Sequence, residues 1–256
     1  MAKLDILQFA CRSDNYGVLI HDEPAGVTAA IDAPDAEPIL AGLAEKGWRL
    51  THLLITHHHA DHTAGNLQLK EATGCTVIGP KAEANRIPGI DLGVGEGDII
   101  AFGEFEIRVI ETPGHTIGHV TYWIPAASVA FVGDTLFAMG CGRIFEGNAK
   151  VMWASLNKLM ALPPETEIYC GHEYTAANAA FALTIDPENA QLQKRAKDVS
   201  EQRSKDLATL PTRIDLELET NPFLRPHVAA IRQRLGMQHD PDWRVFAEIR
   251  ERKNKA

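Results

Sequence analysis

The segment Thr56-His57-His58-His59-Ala60-Asp61-His62 constrains this chain more than any other. It follows a short apolar run, Leu53-Leu54-Ile55, that reads as a buried strand. Neutral imidazoles together with a carboxylate form a donor set for a divalent transition ion such as Zn²⁺, Fe²⁺ or Mn²⁺. His57 and His59 are two positions apart, so they point the same way if the extended geometry persists. Asp61 and His62 are adjacent and must diverge. One ion can take the first pair and a second ion the other. A tag-like histidine run would lie at a terminus and follow no strand. His58 points away from the first pair and reads as an outer partner or a solvated side chain.

Later in the chain one pattern recurs: an apolar strand, a tight turn with glycine, then one metal-competent side chain. Phe105 to Ile110 alternates as a half-buried strand does and runs into Thr112-Pro113-Gly114-His115. Val129 to Val132 ends at Gly133-Asp134, and Ile168-Tyr169-Cys170 is followed by Gly171-His172-Glu173-Tyr174. Singly each is weak, because Asp is an ordinary turn residue. Their joint occurrence after the His57–His62 cluster carries the signal, since strand ends in a rigid sheet place ligands accurately. His119 reads as part of the strand over 120–124 and is left out of the set.

Strands are expected at 4–9, 17–21, 27–31, 51–55 and 75–79, with helices at 36–46 and 63–73, and a glycine-rich loop at 91–98. A helix follows at 151–162. From about residue 173 the character changes to helices at 176–184, 187–205 and 226–235, with 216–225 extended by its prolines. A last helix starts from Asp240 as N-cap, with Pro241 at its first position. Such a length holds one large core, or one core plus a small domain. The division expected is a catalytic domain over 1–172 and a helical substrate-binding domain over 173–256.

Asp and Glu outnumber Lys and Arg by 34 to 25, for a formal net charge of −9. That argues against nucleic-acid binding, which needs a basic surface. No apolar run has membrane-spanning length, and the start, Met1 to Ile6, lacks the pattern of a signal peptide. Cys11, Cys75, Cys141 and Cys170 are widely spaced with no CxxC, which suits a reducing, cytoplasmic setting. No nucleic-acid or membrane partner is expected, and the chain is expected to be a monomer.

His57-x-His59-x-Asp61-His62 at a strand end resembles the metal signature of the metallo-β-lactamase superfamily. His57, His59 and His115 are assigned to one ion, Asp61, His62 and His172 to the other, with Asp134 bridging them. Asp61 and Asp134 are read as the catalytic carboxylates, working with a hydroxide shared by the two ions. Such a pair lowers the pKa of a shared water and polarises a carbonyl. Hydrolysis of an ester, amide, thioester or phosphodiester would suit it, and the ligands alone choose none of these.

The match extends nearly end to end with one family of that superfamily, the hydroxyacylglutathione hydrolases (glyoxalase II). It is carried by Thr56–Asn66, Thr112–His119, Gly133–Phe137, Cys141–Gly147, Tyr169–Tyr174, Asn221-Pro222-Phe223 and the closing Arg250-x-x-Lys253. The resemblance implies an α/β fold, an αββα sandwich with a small C-terminal all-helical domain. It also implies two divalent ions, Zn²⁺ foremost with Fe²⁺ or Mn²⁺ possible. The implied reaction is hydrolysis of S-(2-hydroxyacyl)glutathione, typically S-D-lactoylglutathione, in methylglyoxal detoxification. Arg143, Tyr174, Arg250 and Lys253 match the family's glutathione-contacting positions, and Phe145 and His172 are counted with them. Arg143 stands where many members have Lys, and Phe145 where many have Tyr, so a hydroxyl contact is lost there. By spacing alone, Arg250 and Lys253 share a helix face and could equally complement the helix dipole. The alternative reaction is a mono-iron dioxygenase acting on glutathione persulfide, which needs only two His and one carboxylate.

Overall fold

The computed structural model describes residues 3–256; Met1 and Ala2, the start of the stretch read above for a leader, lie outside them. The described residues form two compact units, those up to 111 with 116–133, and residues 112–115 with 134–256.

The first unit begins with strands β1 (Asp5–Cys11), β2 (Asn15–Asp22) and β3 (Val27–Ile31), joined as antiparallel neighbours. Helix α1 (Ala36–Lys46) crosses over to β4 (His52–Leu54), which pairs parallel to β3. Asp35 caps α1 by accepting from the Glu37 amide, and Gly47 closes it in the left-handed region at φ 68°. After β4 come α2 (Ala60–Thr63), α3 (Asn66–Thr73), β5 (Thr76–Pro80) and β6 (Leu92–Val94), the last two extending the parallel part of the sheet. Strands β7 (Ile99–Phe102), β8 (Phe105–Glu111), β9 (Val120–Ile124) and β10 (Val129–Gly133) form an antiparallel run.

Layering follows from alternation along the strands. Leu19, Ala30, Leu53 and Val77 face one way and pack with Ile39 and Leu43 of α1 and Leu69 of α3. The opposite face meets the second sheet: the His52 ring lies 5.8 Å from the Phe102 ring, and the Tyr122 hydroxyl donates to Ile55 O at 2.7 Å. Both faces of the first sheet are therefore covered, which accounts for the nearly unbroken apolar runs of its central strands.

The second unit carries a two-strand hairpin, β11 (Leu136–Phe137) and β12 (Gly140–Cys141), then α4 (Ala149–Met160) capped by Asn148. Strand β13 (Glu167–Cys170) pairs antiparallel with β14 (Thr212–Arg213). The remainder is helical: α5 (Thr175–Ile185), α6 (Ala190–Arg203), α7 (Ile214–Thr220), α8 (Ala229–Leu235) and α9 (Asp242–Asn254). Among the described residues, no helix is long and apolar enough to cross a membrane.

Several sequence expectations need correction. The helix expected over 63–73 is two helices, because Gly65 packs against the α1 start, where a Cβ would stand 2.8 Å from Ala36 N. The 91–98 loop contains β6. The 216–225 segment is not extended: α7 runs to Thr220, and the proline rule acts only on Asn221 (φ −84°, ψ 112°), just ahead of Pro222. The tail is not free of strands, since β14 lies within it. Helix α9 starts at Asp242 with Pro241 as its N-cap, because Asp240 pairs with Arg244 rather than capping.

A buried polar network ties the second unit together. Glu217 is fully buried and its Oε1 accepts from Arg195 Nη2 at 2.6 Å and Thr212 Oγ1 at 2.6 Å. Arg195 also donates to Thr220 Oγ1 at 2.5 Å. Glu217→Ala would leave the Arg195 guanidinium buried without a counter-ion, which costs about 3–5 kcal/mol. Removing Glu248 from its exposed pair with Arg252 should cost less than about 1 kcal/mol. Urea unfolding of the two variants should show that contrast in midpoint.

Candidate functional site

In the first unit the His57–His62 segment leaves the end of β4 and turns into α2. Strand pairing carries it there: Ile55 N donates to Ile78 O at 2.8 Å, and Val120 N donates to Thr56 O at 2.9 Å. His57 and His62 are buried, and His59 and Asp61 are half-buried. His57 Nε2 and His59 Nδ1 approach to 3.1 Å, and His62 Nε2 lies 3.7 Å from Asp61 Oδ2. The pairing expected from spacing, His57 with His59 and Asp61 with His62, is thus present as two adjacent donor pairs.

Asp32, which sequence reading missed, organises both pairs. Its Oδ1 accepts from Thr56 N at 2.7 Å, and its Oδ2 accepts from Thr56 Oγ1 and His62 Nδ1, each at 2.8 Å. Thr56 Oγ1 spends its proton on Asp32, so it accepts from His57 Nδ1 at 3.0 Å. Both imidazoles are therefore tied by Nδ1, which would leave Nε2 of each for an ion. Asp32, His57 and His62 offer ligand atoms within 4.8 Å of one another, yet Asp32 is already committed as an acceptor and acts as their orienter. It sits in the left-handed region at φ 56°, directly after β3.

Two further buried groups flank the segment. Glu83 is fully buried, accepting from His58 N and His58 Nδ1 at 2.8 Å each and from Gly118 N at 2.7 Å. His58 is therefore an outer partner, held by a carboxylate rather than by solvent. His119 lies just ahead of β9, fully buried, with its ring stacked on His57 at 4.9 Å between centroids.

In the second unit, Asp134 follows directly on β10, His172 follows β13 and His115 lies in the Thr112–His115 turn. Asp134 Oδ2 lies 3.4 Å from His115 Nε2 and 3.4 Å from His172 Nε2. Two ligand atoms about 2.1 Å from one tetrahedral ion stand about 3.4 Å apart, so these separations fit ligation through a single carboxylate oxygen. His115 Nδ1 donates to Arg143 O at 2.8 Å, which again leaves Nε2 for an ion. Gly142 is obligatory: a Cβ there would lie 1.9 Å from Asp134 O.

The expected substrate-contacting side chains have distinct settings within this unit. Arg143 is exposed, with its guanidinium 5.5 Å from the Phe145 ring centroid, and Phe145 is exposed and edge-on to His115 at 5.2 Å. Tyr174 stacks on His172 at 4.7 Å with the rings nearly parallel. Arg250 and Lys253 share a face of α9, as their spacing predicts. Arg250 is buried, donating from Nη1 to Cys141 O at 2.7 Å and lying 5.1 Å over the Phe223 ring. Lys253 donates to Ala177 O at 3.0 Å and lies 5.1 Å over the Phe181 ring. Burial, and secondarily the Arg250 charge, lowers the Lys253 pKa. Burial pushes the Cys141 thiol up to about 11 against the opposing pull of Arg250, so it stays protonated at neutral pH.

Comparison with known proteins identifies the family and the fold. Residues 25–172 match the sequence profile of the metallo-β-lactamase superfamily, and residues 173–256 match the hydroxyacylglutathione hydrolase C-terminus. A hydroxyacylglutathione hydrolase of Brucella anthropi is 58% identical over 98% of this chain and 97% of its own length. That of Brucella ovis is 57% identical over 98% of both chains. Among solved structures, ETHE1 from Myxococcus xanthus superposes with a TM-score of 0.70 at 28% identity, over 98% of this chain and 91% of that one. The fold is thus the mixed α/β fold of that superfamily with a C-terminal helical region. On both profiles and on identity along nearly its whole length, the chain belongs to the hydroxyacylglutathione hydrolase family of the metallo-β-lactamase superfamily.

Proposed function

We propose that the chain hydrolyses the thioester of S-(2-hydroxyacyl)glutathione, S-D-lactoylglutathione foremost, giving glutathione and a 2-hydroxy acid such as D-lactate. The observation that carries this reading is the 57–58% identity to hydroxyacylglutathione hydrolases along 98% of the chain; Asp134 Oδ2, 3.4 Å from two imidazole nitrogens, suits the bridging ligand such a reaction would use. His57, His59 and His115 would hold one divalent ion, Asp61, His62 and His172 a second, and Asp134 both. Zn²⁺ suits these donors best, with Fe²⁺ or Mn²⁺ also compatible. When bound, such ions polarise a carbonyl and make hydroxide available at neutral pH.

The chain's own residues do the rest. Asp32 holds His62 and, through Thr56, His57 in the tautomers that face an ion. Arg143, exposed over the Phe145 ring, is suited to a glutathione carboxylate, and Tyr174 offers a ring and hydroxyl beside His172. Arg250 and Lys253 add positive charge from α9. The leaving thiolate has a conjugate acid of pKa about 8.5, so no separate general acid is needed. The two profile matches, meeting at residues 172 and 173, support a catalytic domain over 1–172 and a substrate-binding domain over 173–256. The acidic net charge of −9 favours a small-molecule substrate over nucleic acid. A monomeric, cytoplasmic enzyme is part of the same reading.

Purified protein should consume S-D-lactoylglutathione, followed as loss of thioester absorbance, while a lactam and a phosphodiester are turned over poorly. Absence of thioester hydrolysis in metal-replete protein would refute the reading. Elemental analysis should give close to two ions per chain, and Asp134→Ala should lose metal and nearly all turnover. A value near one with full activity would favour the mono-iron alternative.

Arg143→Ala should raise KM about ten-fold or more with kcat less affected, because a charged hydrogen bond to a carboxylate is worth about 1.5–3 kcal/mol. Arg250→Ala should instead alter KM, kcat and stability together, since its guanidinium also anchors Cys141 O. A purely KM effect at Arg250, with unchanged melting temperature, would contradict that anchoring role.

A further inference from the structure

The Asn221-Pro222-Phe223 motif has no part in binding or chemistry as described so far, yet Asn221 is fully buried beside fully buried Glu217. Both reach the β11–β12 hairpin. Asn221 Nδ2 donates to Gly140 O at 2.9 Å, to Phe137 O at 3.2 Å and to Glu217 Oε2 at 2.9 Å. Glu217 Oε2 also accepts from Met139 N at 2.8 Å. Asn178 Nδ2 donates to Ala138 O at 3.1 Å, and Arg250 Nη1 to Cys141 O at 2.7 Å. Each residue from Phe137 to Cys141 thus has a main-chain polar group bonded to a side chain of the helical tail.

The hairpin needs such support. Its strands are two residues long, too short to hold their own register. Its turn places Met139 at φ 53°, a conformation disfavoured for a side chain of that kind. The hairpin also begins two residues after Asp134 and ends two residues before Arg143. Gly142 N donates to Thr135 O at 3.2 Å, and Gly142 lies flat on Asp134 O. A displaced hairpin therefore moves the Asp134 main chain and the Arg143 carbonyl that fixes His115.

We infer that Glu217 and Asn221 are positioning residues for the metal ligand Asp134 and for the His115–Arg143 contact, acting through the hairpin. The inference rests on the reading of Asp134 as a bridging ligand.

Asn221→Ser tests it with little collateral change, because the serine oxygen can still accept from Phe223 N, as Asn221 Oδ1 does at 3.0 Å, while the amide that reaches the hairpin is gone. Glu217→Gln is the second variant, since one of its two oxygens becomes a donor. Ile231→Ala, which opens a cavity at a fully buried position of α8, serves as the stability control. Metal-loaded proteins are titrated with a chelator at a temperature where all are folded by circular dichroism, and retained metal is measured per chain. The chelator concentration that strips half the metal should fall about ten-fold or more in Asn221→Ser and Glu217→Gln, the usual scale for groups that orient ligands. Their kcat should fall by a similar factor with KM less changed. Ile231→Ala should lower the melting temperature without either effect. Retention curves that superimpose on wild type, with only melting temperatures lowered, would overturn the inference. Asp134→Ala, run in parallel, separates the two ideas. If it keeps its metal and rate, the bridging reading fails and this inference with it. If it loses metal while Asn221→Ser keeps it, the positioning role alone is wrong.

Discussion

An imidazole serves an ion with one nitrogen only, and for His57, His62 and His115 the surroundings are arranged to fix the other. His62 is fixed by Asp32, His57 by Thr56, and His115 by the Arg143 carbonyl. Each of these partners is buried or belongs to the main chain, so none can rotate away at small cost. The demand propagates outward. Asp32 must reach three donors on two residues at once, and it does so from a left-handed conformation at the end of β3, an interior strand of its sheet. The first sheet is covered on both faces for the same reason: a rigid, dry scaffold is what allows a strand end to aim a ring.

The candidate ligands stand out in the sequence because each follows a recognisable strand and turn. Asp32 meets the same rule, standing directly after an apolar strand, and was passed over because its partners lie 24 and 30 positions away. Glu83 was invisible for a similar reason: its three hydrogen bonds go to His58 and Gly118, and nothing in its local sequence marks it as buried. The set-aside His119 shows the reverse error, since an assumed strand position gave no hint of its stacking on His57. Helical periodicity correctly put Arg250 and Lys253 on one face. It could not say that the face would meet Phe223, Phe181 and two main-chain carbonyls. Periodicity reports which residues share a side, whereas burial depends on what the rest of the chain brings there.

Two positive charges over aromatic faces make α9 an unusual anchor. A guanidinium keeps much of its attraction to a ring when desolvated, and its donors can still satisfy carbonyls. Arg250 can thus be interior without a carboxylate partner, while Lys253, more sensitive to lost water, has its pKa drawn down. The Glu217–Arg195 pair solves the same problem differently, by surrounding both charges with hydroxyl and amide partners.

The hairpin's dependence on residues far along the chain has a consequence for biosynthesis. A ribosome makes His57 to His62, and before them that cluster's orienter Asp32, well ahead of Asp134. Asp134 is also made before the helices that brace its hairpin, because Glu217, Asn221 and Arg250 all lie far downstream of it. The order of translation therefore sets an order of maturation. The first donor cluster and its orienter can meet before Glu217 is made, whereas the hairpin beside Asp134 gains its bracing only once α7 and α9 have followed.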